Sequence, residues 1–352
     1  MDILTILMQQ TRSAGKKYKF VKLKGEVSNM KAVVLEKTCD ANGLKVNNVP
    51  IPKVKPGWVL VKIKAFGVNR AELIMRSVEG NAAYITLPRI LGIECAGEIA
   101  DPSDIGLKKG QRVVALMGGM GRSFDGSYAE YALIPNKNIF VVETDLGWEE
   151  LGAVPETYFT VYGSLFDCLQ IKASDILLIR GGTSAAGLVA IQLAKSIGCV
   201  VLATTRKKEK LELLKNHGSD YALIDNGTLS EQVHSVFSEG VTKVLELVGP
   251  ATLKDSMKCL AYHGTICSTG VLGKKGVLES FDPIKDMPNG IYLSSFFSNH
   301  PIQKTIDDIF NHIKKYKLKP PIAKVFSIED IASAHLLMEG NESNGKVVIL
   351  VD

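Results

Sequence analysis

The chain has 352 residues, 46% hydrophobic and 22% charged, which excludes general disorder and suits two domains rather than one small core. Its net charge is +5, but residues 1–29 alone carry six cations against two acids, so the body is nearly neutral and lacks the basic field that nucleic acid requires. No apolar run approaches the ~20 residues of a membrane span, and the six cysteines form no C-x-x-C pair; a cytoplasmic globular protein with reduced thiols is expected, with neither membrane nor nucleic acid as partner.

Residues 1–29 contain no long apolar core and no small-residue cleavage site, and a strand-like run starts at Met30. They are expected to form an extension outside the fold. The stretch to about 150 then reads as short β-rich runs at 30–35, 59–67, 93–99, 111–116 and 127–134, separated by Pro-, Gly- and Asp-containing turns. Many short strands with little helix suit a barrel-like domain. Residues 149–168 look helical, with a break at Ala153-Val154-Pro155.

From Asp175 the pattern changes. Apolar strands at 175–179, 199–205, 221–224, 243–248, 264–268 and 291–297 alternate with helical patterns at 185–197, 207–217, 229–237 and 253–260. Such alternation predicts β-α-β units and a parallel sheet covered on both faces. After helices near 301–316 and 328–339, the closing β run at 346–351 cannot extend this series and is expected to return to the first domain. The expected fold class is α/β: a doubly wound parallel sheet over 151–298, and a β-barrel-like domain made of 30–150 with 299–352.

The strand at 175–179 runs through Arg180 into Gly181, Gly182, Thr183, Ser184, Ala185, Ala186 and Gly187, a turn of small residues that opens a helix. Small side chains let phosphate oxygens reach the N–H groups at a helix N-terminus, where the helix dipole also favours an anion. The G-x-G-x-x-G pattern is broken, because Ser184 and Ala185 stand where Gly is common, and a tight turn wants Gly for steric reasons too. A strand before and a helix after make dinucleotide binding the better reading. About twenty residues on, an NAD site usually places Asp or Glu for the ribose hydroxyls. This chain instead reads Thr204-Thr205-Arg206-Lys207-Lys208-Glu209-Lys210 there. Hydroxyls and cations suit a 2′-phosphate that a carboxylate would repel, so NADPH is the expected cofactor, held by Thr205, Arg206 and Lys210, with Lys208 on a solvated face. Val248, Gly270 and Val271 fall at the ends of later strands, where ligands of open parallel sheets bind.

Taken with Gly67-Val68-Asn69-Arg70-Ala71-Glu72-Leu73, Leu91-Gly92-Ile93-Glu94-Cys95-Ala96-Gly97, Gly126-Ser127-Tyr128-Ala129-Glu130-Tyr131 and Ile191-Gln192-Leu193-Ala194, these features resemble a known family in order over about 30–352. The family is the medium-chain dehydrogenase/reductase superfamily, in its zinc-free quinone oxidoreductase branch. The resemblance implies a GroES-like β-barrel catalytic domain, a Rossmann domain, a cofactor in the cleft between them, and homodimers through the Rossmann edge strand at 291–297. Zinc-dependent relatives carry Cys where Asn69 stands and His where Ile93 stands, so no metal is expected. Without a Lewis acid, hydride transfer to a quinone or an α,β-unsaturated carbonyl (an enal or enone) is the reaction implied, with orientation and water exclusion as the protein's main tasks.

Asn69 resembles the family Asn beside nicotinamide and substrate, and Thr160 the Thr beneath the nicotinamide. Both are expected in catalysis and cofactor binding, with a turn hydrogen bond and simple helix burial as their respective alternatives. Several relatives carry a Tyr five residues after the Asn; Ile74 stands here, and Tyr84 is the candidate phenol of the pocket, with an ordinary half-exposed loop Tyr as the equal alternative. Glu156 reads as a helix-surface carboxylate beside the cleft, and Phe296-Phe297 as a wall for the nicotinamide or, equally well, part of a sheet-edge dimer core; of the two, Phe297 is the expected contact. Two rival readings are a zinc-type alcohol dehydrogenase and a catalytically idle NADPH-binding protein with a structural or RNA-associated role.

Overall fold

The computed structural model describes residues 28–352. Residues 1–27 of the expected extension lie outside the described residues; Asn29 is already in the first strand, paired with Pro50.

The barrel lobe contains β1 (Asn29–Leu35), β2 (Val46–Pro50), β3 (Trp58–Val68), α1 (Arg70–Ser77), β4 (Arg89–Ile90), β5 (Glu94–Asp101), β6 (Arg112–Leu116), β7 (Tyr131–Pro135) and β8 (Ile139–Val141). In β3 the buried residues Val59, Val61, Ile63 and Ala65 alternate with half-buried ones, the period-2 signature of a strand with one face on a core. β3 is the hub of its sheet, pairing antiparallel with β5 and with β7. Phe66 at its far end stacks on Tyr128.

Two helices then lead to the second lobe: α2 (Trp148–Gly152) and α3 (Pro155–Tyr162). Pro155 opens α3 at a position where its missing N–H costs nothing, which places the break seen in the sequence between the two helices. A π-helical stretch over Gly163–Cys168 continues α3.

The second lobe alternates β9 (Ile176–Arg180), α4 (Ala185–Ser196), β10 (Val200–Thr205), α5 (Leu211–Asn216), β11 (Tyr221–Ile224), α6 (Leu229–Val236), β12 (Val241–Glu246), α7 (Leu253–Met257) and β13 (Leu260–Ser268). It ends with α8 (Pro283–Asp286) and β14 (Tyr292–Ser295). The six strands are parallel in the order β11-β10-β9-β12-β13-β14. This is the doubly wound Rossmann arrangement, and its strand order reverses between β9 and β12, where such sheets open a ligand crevice. The helix expected at 207–217 is split, with a 3-10 turn at Lys208–Lys210 ahead of α5.

After α9 (Gln303–Tyr316), β15 (Ile322–Ser327) and α10 (Ile331–Glu339), β16 (Lys346–Leu350) pairs antiparallel with β3 and parallel with β15. The end of the chain is thus built into the first sheet. Among the described residues, no helix is long and apolar enough to cross a membrane.

Candidate active site

At the end of β9, Gly181 adopts φ +89°, a left-handed conformation that disfavours a side chain. Gly181 N–H donates to Thr204 Oγ1 (3.2 Å) and Gly182 N–H to the Thr204 carbonyl (3.0 Å), tying the turn to the end of β10. Ser184 caps α4: its hydroxyl donates to the Gly181 carbonyl (2.8 Å) and accepts from Gly187 N–H (3.0 Å). A Cβ on Gly187 would lie 2.5 Å from the carbonyl oxygens of both Gly181 and Gly182, so only glycine lets the helix sit this close. Ser184 therefore replaces the usual Gly by doing local work. The amides of Ala185 and Ala186 head a twelve-residue helix, whose first turn leaves them without intrahelical acceptors.

The later strand ends converge on this turn. A Cβ on Gly181 would meet Leu272, Leu247 and Val248 at 3.2, 3.3 and 3.6 Å. Val248 and Gly249 donate their N–H groups to Glu246 Oε1 (2.7 and 2.9 Å), and Leu272 N–H donates to the Leu247 carbonyl (3.1 Å). Gly270 packs so closely that a Cβ would stand 2.1 Å from the Leu247 carbonyl oxygen. Val248 and Gly270 are thus brought beside the glycine turn at the β9/β12 switch, with Leu247 and Leu272 packed between them.

At the end of β10 the Thr205 side chain is buried, and its hydroxyl accepts from Lys207 N–H (3.2 Å). Arg206 is exposed and forms no ion pair among the described residues. Lys210 Nζ donates to the Asn341 carbonyl (2.9 Å), and Arg70 donates to Asn341 Oδ1 (2.7 Å), so Asn341 joins the two lobes at this end of the crevice. Desolvation and the nearby Lys207 hold the Lys210 ammonium below its usual pKa.

Asn69 caps α1 at the opposite wall. Its Nδ2 donates to Glu94 Oε1 (2.8 Å) and its Oδ1 accepts from Lys346 Nζ (2.6 Å). Lys346 also donates to Glu94 Oε1 (2.6 Å) and Thr157 Oγ1 (2.8 Å). An ammonium has three N–H donors, and all three are committed here. Glu72, fully buried beneath, accepts from the N–H groups of Asn69 (2.9 Å) and Ile93 (3.1 Å). Burial and the adjacent Glu94 push its carboxyl up to about 7. The turn reading of Asn69 thus holds in part, because its amide is spent on buried charges. Lys346 and Glu94 were not expected in the site; the signal for Lys346 is a lone charged residue opening the otherwise apolar β16, whereas Glu94 shares β5 with Glu98 and Asp101 and nothing local singles it out.

Thr160 donates to Glu156 Oε1 at 2.5 Å. Two expectations need correction. Tyr84 is 72% exposed, and its hydroxyl donates to Glu79 Oε1 (3.0 Å), which Arg122 also grips, so the phenol lies on the surface rather than in the pocket. Phe297 is 74% exposed, and the ring that packs inward is Phe296, edge-on to Phe159 and filling the space that a Cβ on Gly163 would occupy. Successive residues of an extended segment face opposite ways, and one position decides which ring is inside.

The Rossmann crevice, its glycine turn and the facing barrel wall define a two-lobe, nicotinamide-dinucleotide oxidoreductase. Residues 55–144 match the family model described as alcohol dehydrogenase GroES-like domain, and residues 185–313 the one described as zinc-binding dehydrogenase. The quinone oxidoreductase of Sus scrofa is 26% identical over 314 residues, covering 87% of this chain and 92% of its own. The acryloyl-coenzyme A reductase of Sulfurisphaera tokodaii is 26% identical over 352 residues, covering 91% and 99%. The mycobacterial protein Rv1454c, solved in complex with NADPH, superposes with a TM-score of 0.79 at 25% identity, covering 92% of this chain and 100% of its own. The chain belongs to the medium-chain dehydrogenase/reductase superfamily and is quinone oxidoreductase-like.

Proposed function

We propose that the protein is an NADPH-dependent reductase that delivers hydride to a quinone or an α,β-unsaturated carbonyl without a metal. The observation that carries this reading is the pairing of the glycine turn with Arg206 and Lys210 beyond the next strand end, where Thr204, Thr205 and Arg206 take the place of a ribose-binding carboxylate and the one acid of the segment, exposed Glu209, is outnumbered by the cations around it. Amides at the head of α4 would hold the pyrophosphate, and Arg206 and Lys210 the extra phosphate. When bound, the dinucleotide supplies the hydride. The related quinone oxidoreductase and acryloyl-coenzyme A reductase support acceptors of this class.

The donor set does not fit zinc. Ile93 offers only an apolar side chain, Asn69 has its amide engaged by Glu94 and Lys346, and the Lys346 ammonium already supplies the positive charge between them. The stretch that matches the zinc-binding dehydrogenase model, 185–313, contains neither Asn69 nor Ile93. Among the described residues, no three His, Cys, Asp or Glu side chains come together as a metal site.

Among the described residues, edge strand β14 leaves one side of the parallel sheet free, with Tyr292 and Leu293 exposed, which supports a homodimer through that edge. Six free cysteines, four of them buried, support a reducing, cytoplasmic setting. The test of function is paired binding of NADPH and NADH to wild type and Arg206→Ala, followed by turnover with a panel of quinones and enones. NADPH affinity is expected to fall about tenfold to a hundredfold, with NADH almost unchanged. Equal weakening of both nucleotides would overturn the phosphate assignment. Tight NADPH binding without turnover on any acceptor would favour the idle reading, which the surface position of Tyr84 keeps in play.

A further inference from the structure

Glu156 occupies the first turn of α3, with its side chain half-buried rather than on the helix surface. Its Oε1 accepts from Thr160 Oγ1 (2.5 Å) and from Ser298 Oγ (3.4 Å), while Oε2 has no hydrogen-bond partner among the described residues. Its backbone N–H donates to Glu94 Oε2 (2.7 Å), which fixes the start of α3 on the buried Lys346–Glu94 pair. One turn beyond Thr160, the Ser164 hydroxyl donates to the Thr160 carbonyl (2.7 Å) and meets Thr269 Oγ1 at 2.8 Å. Thr269 immediately precedes Gly270 and Val271 at the crevice. Glu156 and Thr160 therefore stand between the barrel's buried charges and the carboxyl end of the parallel sheet.

Other proton sources near this wall are already committed. Lys346 uses all its N–H donors, Glu94 accepts at both oxygens, and Glu72 lies beneath them. Asn69 has no titrating proton, and Tyr84 is on the surface. We propose that Glu156 is the acid of this site and that it gives its proton from Oε2 to the reduced acceptor. The inference rests on the reductase reading above. The balance is simple: an enone, or a quinone, gains one hydride with its electron pair and one proton, giving a saturated carbonyl or a hydroquinone. The nicotinamide is left oxidised, and Glu156 is left as a carboxylate that regains a proton from water.

The surroundings favour the neutral acid. Burial raises the Glu156 carboxyl, and Glu94 on β5 raises it further, while Lys346 on β16 and the hydroxyls of Thr160 and Ser298 pull it down; the net direction is up. Glu72 on α1 adds a second acid behind Glu94. A general acid of this kind contributes typically 10²–10⁴-fold, most where the product anion is basic.

The experiment uses Glu156→Gln and Glu156→Asp in the full-length protein. At neutral pH, infrared spectra of the protein without nucleotide should contain a carboxylic acid carbonyl band that Glu156→Gln lacks. With an enone, Glu156→Gln should lose about a hundredfold in kcat at neutral pH, keep NADPH affinity within about twofold, and lose the fall in activity that wild type shows as pH rises through the Glu156 pKa. Glu156→Asp should restore part of the rate and the alkaline fall. Wild-type turnover matched by Glu156→Gln at every pH, or an unchanged infrared band, overturns the acid role alone. Absence of turnover by wild type with any acceptor overturns the reductase reading and the acid role with it.

Discussion

Lys346, the first residue of the last strand, donates to Glu94, the first residue of β5, across 2.6 Å with both side chains almost completely buried. The pair links the end of the chain to the barrel, and through Glu94 to the start of α3. Removing one partner leaves a charge without a counterion in a low-dielectric interior, which typically costs 3–5 kcal/mol. Lys346→Met should therefore lower the unfolding free energy by about 3 kcal/mol or more in urea titrations. The double variant Lys346→Met/Glu94→Gln should recover part of that loss. A single variant as stable as wild type would contradict the pairing.

Glu72 gives stability a definite pH dependence. Its folded carboxyl titrates at about 7 rather than 4.5, so between those values the native state binds more protons than the unfolded chain. Unfolding free energy must then decline as pH rises through that window, being fullest below about 4.5, with about 3 kcal/mol as the upper bound for one such group. Glu156 and Glu246, also raised by burial, slope the same way. Glu72→Gln should flatten the decline measured by denaturant titration from pH 5 to 8; an unaltered slope would refute the assignment.

Gly187 tests the phosphate turn independently of any charge. Alanine there forces its methyl to within 2.5 Å of two carbonyl oxygens, so α4 must move away from the turn. NADPH and NADH should both weaken by at least about tenfold in Gly187→Ala, and stability should fall by about 1–3 kcal/mol from the overpacking. This loss is non-selective, unlike that of Arg206→Ala, and calorimetric titration with each nucleotide separates the two.

Arg180 ends β9 in a buried hub. It donates to Asp225 Oδ1 and Oδ2 (2.6 and 2.7 Å), Asp255 Oδ2 (2.8 Å), Ser256 Oγ (3.0 Å) and the Thr252 carbonyl (3.2 Å). Arg180→Met strands these partly buried acids and should cost about 3–5 kcal/mol, lowering the melting temperature before it alters nucleotide selectivity. Retained thermal stability would show that the acids find other partners.

Local periodicity made most of the fold legible. The strand-helix alternation after Asp175 and the small residues of 181–187 are local signals, and they correspond to β9 through β14 and to the crevice turn. The pocket was less legible because its contacts span the chain. Lys346 meets Asn69, 277 positions away, and no spacing rule connects them. The acid at Glu156 looked like an ordinary helix-surface residue because the Ser298 that helps enclose it comes 142 positions later. The direction of Tyr84 is equally hidden from local sequence: its loop lies near the pocket, but Glu79, itself held by Arg122, draws the phenol outward.

The place of β16, between β15 and β3, orders the events of synthesis. The nucleotide-binding sheet is contiguous from Ile176 to Ser295 and can pair as soon as it leaves the ribosome, whereas the barrel lacks an internal strand until Lys346–Leu350 emerges. Until then Glu94 waits in the nascent barrel without its ammonium, and the crevice has only one finished wall. The half that grips the nucleotide is ready early; the half that faces the acceptor is sealed only when β16 joins β3.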